Sequence, residues 1–400
     1  MAFPNDMLFE IFSWLPAKAI YKFTSCSKLL SKFPEETCFA LKQAQNALSR
    51  DDTCFFIQPD INRRFIGQIE LHPLPEKELS CGVSKDALSI LSRSANIIAS
   101  SNGLILCRPI SHGNQVELFI SNPATQCWLP IPTPEDLQQS ANADLKIGFK
   151  CDLEDYKVFV FDHNNYDEWH SDLDCKVYLS KEGVWKAMEK SFLSRGRNLI
   201  FDKPVYHNGV IHFISDCFPY YIKTSPYFRP YIMSYNFSSG ESRMMRVPKE
   251  ARRGSHDYSC KMGIFKWGKV NSPSESICLV RLRKVVFTVW ALINYESGLW
   301  KRILKVRVKA MGLTEKKDPI VTEFVVLNGE LLVFATQKKV YGYGLSDEKY
   351  MRIEEICEHG FESKVRFTSY SNTLRPCGTG VRALPLSFQG KCCGQVQSLI

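Results

Sequence analysis

A mainly β chain is predicted: a propeller of about six blades, preceded by a small all-α module. Three observations predict it. Segments of one turn-and-strand grammar recur at intervals of 57 and 58 residues, Asn-Gly pairs recur about two intervals apart, and helical periodicity is concentrated in the first fifty residues.

The helical module comes first. Pro4 fits a first helical turn, where its missing N–H costs nothing. Asn5 and Asp6 follow where the unpaired amides and the helix dipole favour polar and negative groups. Leu8, Ile11, Phe12 and Leu15 then recur at helical spacing, and Pro16 stops the helix. A second short helix carries Ala19, Ile20 and Phe23; a third, from near Ser25, carries Cys26, Leu29, Leu30 and Phe33. Pro34-Glu35-Glu36 opens a further helix through Phe39 to about Leu48. The domain boundary is expected near residue 50, where short β-type runs begin. Helices this small cannot bury so much apolar surface by themselves. Another protein or the next helix is expected to cover part of it.

The frame Pro4-x3-Leu8-x2-Ile11-x3-Leu15-Pro16, followed by Lys18, Ile20, Phe23, Cys26 and Lys28, resembles the F-box, a helical module that docks on a Skp-type adaptor. The resemblance implies that Phe3, Pro4, Leu8, Ile11, Leu15, Pro16, Ile20, Phe23 and Cys26 bind that adaptor, and through it cullin and RING subunits. The family usually has Trp two residues after its Cys-x-Lys element; here Leu30 stands there.

The remainder is organised by its repeat. Thr125-Gln126-Cys127-Trp128, Glu182-Gly183-Val184-Trp185, Gly240-Glu241-Ser242-Arg243 and Ser297-Gly298-Leu299-Trp300 each end a turn on a bulky or basic residue. The Trp or Arg is expected to pack between blades. Asn102-Gly103, Asn208-Gly209 and Asn328-Gly329 each precede a strand, and both positions of that dipeptide tolerate positive φ. Units of this length, each with several strands, define a kelch-like β-propeller. Five units are visible near 100–132, 147–190, 205–248, 260–305 and 322–357. A sixth is assembled from 367–370 together with strands from 53–75, which joins the two ends and removes open edges. Asn102-Gly103, Ser121-Asn122-Pro123-Ala124-Thr125, Tyr206-His207-Asn208-Gly209 and the run from Val289 to Trp300 resemble the F-box-associated domain of plant F-box proteins. The expected organisation is therefore an F-box domain over 1–50, an F-box-associated propeller over 51–375 and an atypical, disordered tail over 376–400.

Composition narrows the classes. The chain has 400 residues, 44% of them hydrophobic, enough for a sizeable core. No apolar run approaches the roughly 18 residues a membrane helix needs, and no secretory signal pattern opens the chain. A soluble protein of the cytoplasm or nucleus is expected. Fifteen cysteines with no Cys-x-x-Cys read as reduced, apolar side chains. The net charge of +9 is modest, and its basic clusters, 243–253 and 301–309, read as solvated faces rather than a nucleic-acid site. Lys305-Val306-Arg307-Val308-Lys309 alternates as a half-exposed strand with its basic side outward.

No catalytic signature stands out: there is no Gly-x-Ser-x-Gly, no phosphate-cradling glycine loop and no His-Glu-x-x-His. The densest polar group, Asp162 to Asp174, fits no calcium loop and reads as a solvated connection. The connection from Asp216 to Pro230 is the better candidate for binding a target, through Phe218, Tyr220, Tyr221, Tyr227, Phe228 and Arg229. The resemblance implies a substrate-recognition subunit of an SCF-type (Skp–cullin–F-box) ubiquitin ligase, with no catalysis of its own, no cofactor, no metal, no nucleic acid and no membrane. The alternatives are a propeller hydrolase or lyase, and a binding scaffold outside any ligase.

Overall fold

The computed structural model describes residues 4–28, 30–48, 50–60, 68–78, 80, 82–110, 117–134, 146–152, 154–162, 172–218, 223–255, 257, 259–268, 275–315, 319–345, 353–361, 364–378 and 382–383. Helix α1 spans Asn5–Ser13 and α2 spans Ala17–Thr24, each entered from a proline in extended conformation, Pro4 and Pro16. The carbonyl of Pro4 accepts from the Leu8 amide at 3.2 Å, so Pro4 opens the first turn from just outside it. The expected third helix is instead a 3-10 turn, Leu30–Glu35, and Cys26 lies in the bend before it. Pro34 explains the change, because in an α-helix its ring would crowd the carbonyl four residues back. Pro34 is taken up in that 3-10 turn, so α3 starts at Thr37, not Pro34, and ends at Leu48.

Six antiparallel sheets follow. The strands β1 (Cys54–Pro59) and β2 (Glu70–Pro73) precede a helix, α4 (Lys85–Ser94). A four-stranded blade then runs β3 (Ala95–Ser101), β4 (Leu104–Pro109), β5 (Leu118–Asn122) and β6 (Cys127–Ile131). The second blade is β7 (Lys146–Cys151), β8 (Tyr156–Asp162), β9 (Asp172–Leu179) and β10 (Val184–Ala187), with β11 (Phe192–Leu193) paired to the start of β9. The third is β12 (Val205–His207), β13 (Val210–Ile214), β14 (Tyr231–Asn236) and β15 (Ser242–Arg246). The fourth is β16 (Lys261–Trp267), β17 (Ser276–Arg283), β18 (Val286–Asn294) and β19 (Leu299–Arg307). The fifth is β20 (Glu323–Leu327), β21 (Leu331–Ala335), β22 (Lys339–Gly344) and β23 (Ile353–Glu358). Finally β24 (Val365–Tyr370) pairs with β1, in the order β2-β1-β24, and β25 (Arg382–Ala383) pairs with β6. The protein is a six-bladed β-propeller whose last blade takes strands from both ends of the propeller segment.

The repeat markers now have a cause. Trp128, Trp185, Arg243 and Trp300 are each the second residue of a blade's fourth strand. The turn before each contains a left-handed residue, Gln126 (φ 56°), Gly183 (71°), Gly240 (67°) or Gly298 (63°). In three of those turns an asparagine side chain fixes the bend: Asn122 Oδ1 accepts from the Ala124 amide at 3.0 Å, Asn236 Oδ1 from the Ser238 amide and Asn294 Oδ1 from the Ser297 amide, the last two at 2.8 Å. Packing of the markers divides. The Trp300 indole donates to the Arg246 carbonyl of the preceding blade at 3.3 Å, and Arg243 reaches Glu296 of the following one at 3.0 Å. Trp185 meets Tyr178 of its own blade, and Trp128 meets Phe119 of its own blade while packing on the core that holds Cys54, Phe56 and Tyr370 of the closing blade. On β19, Lys305, Arg307 and Lys309 face outward while Val308 is buried, although the strand closes at Arg307.

The chain forms two compact units, one of residues 1–48, 53–142 and 368–400, the other of 49–52 and 143–367. In the first, Cys54, Phe56, Leu91, Ile97, Ile105 and Tyr370 share a core, so α4 lies on the sheets by way of Ala87 and Leu91. Ser84 caps α4, its Oγ accepting from the Ala87 amide at 3.1 Å. That helix was not among the expected elements. Nor does order stop at residue 375: Cys377 is buried and β25 extends the first blade, while 384–400 lies outside the described residues. In the second unit, neighbouring blades interlock through aromatic rings, Phe161 and Phe192 with Phe213, and Phe287 with Phe324 and Phe334.

Candidate functional site

The helical module packs Ala17, Ile20, Phe33, Phe39 and Ala40 into a small core with Leu374. Phe9 meets both Phe33 and Phe39 edge-on, at 5.8 and 5.1 Å. Leu8, Phe12, Leu15 and Leu30 are half-buried at the rim of this core. Ile20 is only 1% exposed, so it holds the module together from within and is not available to a partner. The outward side differs. Ile11 is 52% exposed and Phe23 44%, with Met7, Trp14 and Tyr21 also large, apolar and exposed. Pro4 and Cys26 are exposed and Pro16 is half-buried; Phe3 lies outside the described residues. Phe12 and Phe23 stack edge-to-face at 5.2 Å, linking α1 to α2 beneath this surface.

Segment 371–375 fastens the module to the first blade. Gln43 donates from Nε2 to the Leu15 carbonyl and accepts from the Leu374 amide, both at 2.9 Å. The Ala17 amide donates to the Asn372 carbonyl at 3.1 Å. From the blade, fully buried Asn122 donates to the carbonyls of Thr373 and Arg375 at 3.0 and 2.8 Å, while its Oδ1 accepts from the Ala124 amide. Thr373 Oγ1 donates to the Asn102 carbonyl at 3.1 Å, in the turn where Gly103 has φ +82°. A side chain on Gly103 would collide with Thr373. Of the asparagines that mark the family resemblance, Asn122 thus works as a clamp through its side chain, and Asn102 takes part through its carbonyl.

The connection between β13 and β14 is built around a residue that the sequence did not single out. Arg197 has a side chain only 2% exposed. Its Nε and Nη2 donate to the Asp216 carbonyl at 3.2 and 2.9 Å, Nη2 also to Phe218 at 2.7 Å, and Nη1 to Tyr227 and Phe228 at 3.3 and 3.2 Å. Its charge is met by Asp216 Oδ1 at 3.1 Å. One planar cation therefore ties both stems of the connection. Phe218 is 50% exposed, Phe228 is half-buried under the Arg229 guanidinium at 4.8 Å, and Tyr227 turns inward onto Tyr231 at 5.9 Å. Tyr220 and Tyr221 lie outside the described residues. So does most of the polar run 162–174, whose last residues, Asp172 and Asp174, belong to β9. Among the described residues no group of three or more His, Cys, Asp or Glu is placed to hold a metal.

His212, fully buried, receives or gives hydrogen bonds at both ring nitrogens, to the Val205 carbonyl at 3.2 Å and the Tyr295 hydroxyl at 2.8 Å. Burial pushes its pKa down to about 4, so it is a neutral joint between the third and fourth blades.

Helical module and six blades together define an F-box protein of the propeller class. The family model of F-box protein At3g26010-like β-propellers matches residues 74–328, and the chain belongs to that family. F-box protein At5g49610 of Arabidopsis thaliana is 22% identical over 358 residues, covering 85% of this chain and 88% of that one. Among solved structures, TolB from Acinetobacter baumannii aligns at a TM-score of 0.46 and 12% identity, over 80% of this chain and 66% of its own. Dipeptidyl peptidase 4 of Porphyromonas gingivalis aligns at 0.35 and 10%, over 80% and 49%. This chain thus spans less than two thirds of either solved structure.

Proposed function

We propose that the chain is a substrate-recognition subunit of an SCF-type ubiquitin ligase. The apolar surface of Ile11 and Phe23, flanked by Met7 and Trp14, docks on the Skp-type adaptor, and the propeller holds a target protein through the connection that Arg197 braces. The observation that carries this reading is the set of large apolar side chains left exposed on the module of an F-box family member. Its contribution to ubiquitin transfer is proximity, since the bond-making groups belong to other subunits.

The test uses the whole chain and purified Skp-type adaptor in a pull-down. Leu8 and Leu15 are poor targets for substitution, because both support the module's own core. Ile11→Asp with Phe23→Asp removes two exposed anchors instead. Each buried side chain contributes about 1.5–3 kcal/mol, so capture should fall at least about a hundredfold, with the circular dichroism spectrum unchanged. Undiminished capture by that double variant would refute the assigned surface.

A further inference from the structure

The β13–β14 connection and the segment after β15 bring three arginines together. Arg229 donates from Nη1 to the Arg252 carbonyl at 2.9 Å while its guanidinium covers Phe228. Arg252 closes the short helix Lys249–Arg252, and Arg246 ends β15 just before it. The carboxylates of these same segments are engaged elsewhere. Glu250 pairs with Arg302 at 2.9 Å and Lys305 at 3.7 Å, Asp257 with Arg283 at 3.4 Å, and Asp216 with Arg197 at 3.1 Å. Arg246 and Arg252 take no carboxylate among the described residues, and the Nε of Arg252 is cut off from solvent with no acceptor. Burial first, then the neighbouring charges of Arg246 and Arg229, lower the proton affinity of Arg252. Cations crowded in this way gain most from an incoming oxyanion, whose oxygens suit guanidinium donors.

We propose that Arg229, Arg246 and Arg252 form an anion subsite for a carboxylate or phosphate group on the bound target, an inference that rests on the receptor function above. The subsite lies beside Phe228 and at the foot of the connection bearing exposed Phe218, so an acidic or phosphorylated residue next to an apolar one is the segment it fits.

Calorimetric titration of the whole chain with three synthetic peptides tests it: (Gly-Glu)4, (Gly-phosphoserine)4 and neutral (Gly-Ser)4. One or both acidic peptides should bind, and the neutral one should not. Binding of both assigns carboxylates as sufficient; binding of the phosphopeptide alone assigns phosphate. Arg246→Gln with Arg252→Gln should weaken binding at least about tenfold. Lys301→Gln with Arg307→Gln, which removes the same net charge from β19, should change it less than about twofold. Arg246→Gln alone guards against misfolding, since that side chain is exposed. Failure of both acidic peptides to bind, or equal loss in the β19 control, overturns the subsite. Adaptor capture measured on the same samples separates the two readings: retained capture would leave the receptor function standing without the subsite.

Discussion

Replacing Arg197 by Met is the sharpest test of how the β13–β14 connection is held. Met fills much of the same volume but withdraws every donor. The carbonyls of Asp216, Phe218, Tyr227 and Phe228 then lose their common partner, and Asp216 loses its ion pair. Hydrogen bonds to a charged group contribute about 1.5–3 kcal/mol each, but they are not additive here, because freed stems can turn toward water. Breaking one buried pair costs about 3–5 kcal/mol, which sets the scale. If about 3 kcal/mol falls on local opening, amide exchange over 216–218 and 223–230 should speed up about a hundredfold. Exchange in β16 to β19 should stay at wild-type rates. Arg197→Lys keeps the charge without the planar geometry, so it should restore only part of the protection. Wild-type exchange across both stems in Arg197→Met would show that the connection is held by something else.

The remaining predictions concern other joints. His212 has a native pKa of about 4 against about 6.5 unfolded, so the unfolded chain binds more protons between those values and stability falls as pH drops through that window. At pH 5 the loss should be about 2 kcal/mol relative to pH 7.5, read as a lower urea midpoint, and His212→Gln should flatten that slope. Gly103→Ala should lower stability by about 2–4 kcal/mol through positive φ and collision with Thr373, whereas Gly183→Ala, at φ 71° with open space around it, should cost about 1 kcal/mol; denaturant melts separate the two. Asn122→Leu should detach segment 373–375 and loosen the helical module, seen as faster proteolysis between residues 48 and 53 with the β7–β10 blade unaffected. Under native conditions the exposed thiols Cys26 and Cys38 should react with a disulfide reagent well before buried Cys107 and Cys278, whose thiols burial pushes far up, and Cys26→Ser with Cys38→Ser should lower the number of fast-reacting thiols by two.

Four of the blades were readable because they reuse the same turn chemistry. A left-handed residue followed by a bulky one needs few residue types, so it survives as a spacing in the chain. The closing blade was found by a different logic, since joining Phe367 to Tyr370 with the run from Cys54 closes the ring and removes its open edges. Helix α4 escaped because only Ala87 and Leu91 are buried on it, too sparse a stripe against a polar background. On the helical module, the F-box resemblance placed Ile11 and Ile20 in one docking set, yet one faces solvent and the other the core. Spacing reveals a helix face, not whether the chain itself will cover it. Arg197 was invisible for a different reason: its partners are carbonyls, which every residue carries, so no residue type betrays them.

The pairing of β1 with β24 has a consequence for how the protein is made. The Thr53 amide donates to the Tyr370 carbonyl at 3.2 Å, and Phe56 packs on the ring of Tyr370 at 5.2 Å. The first strand must therefore wait, through the synthesis of some three hundred residues, for the partner that completes its sheet. Its apolar edge stays open meanwhile, with chaperones as the natural cover. Helices α1 to α3, by contrast, are synthesised before β1. A chain cut short before Tyr370 would keep helices α1 to α3 but lack the closed propeller, and under the proposed function a surplus of such fragments would compete with intact copies for adaptor.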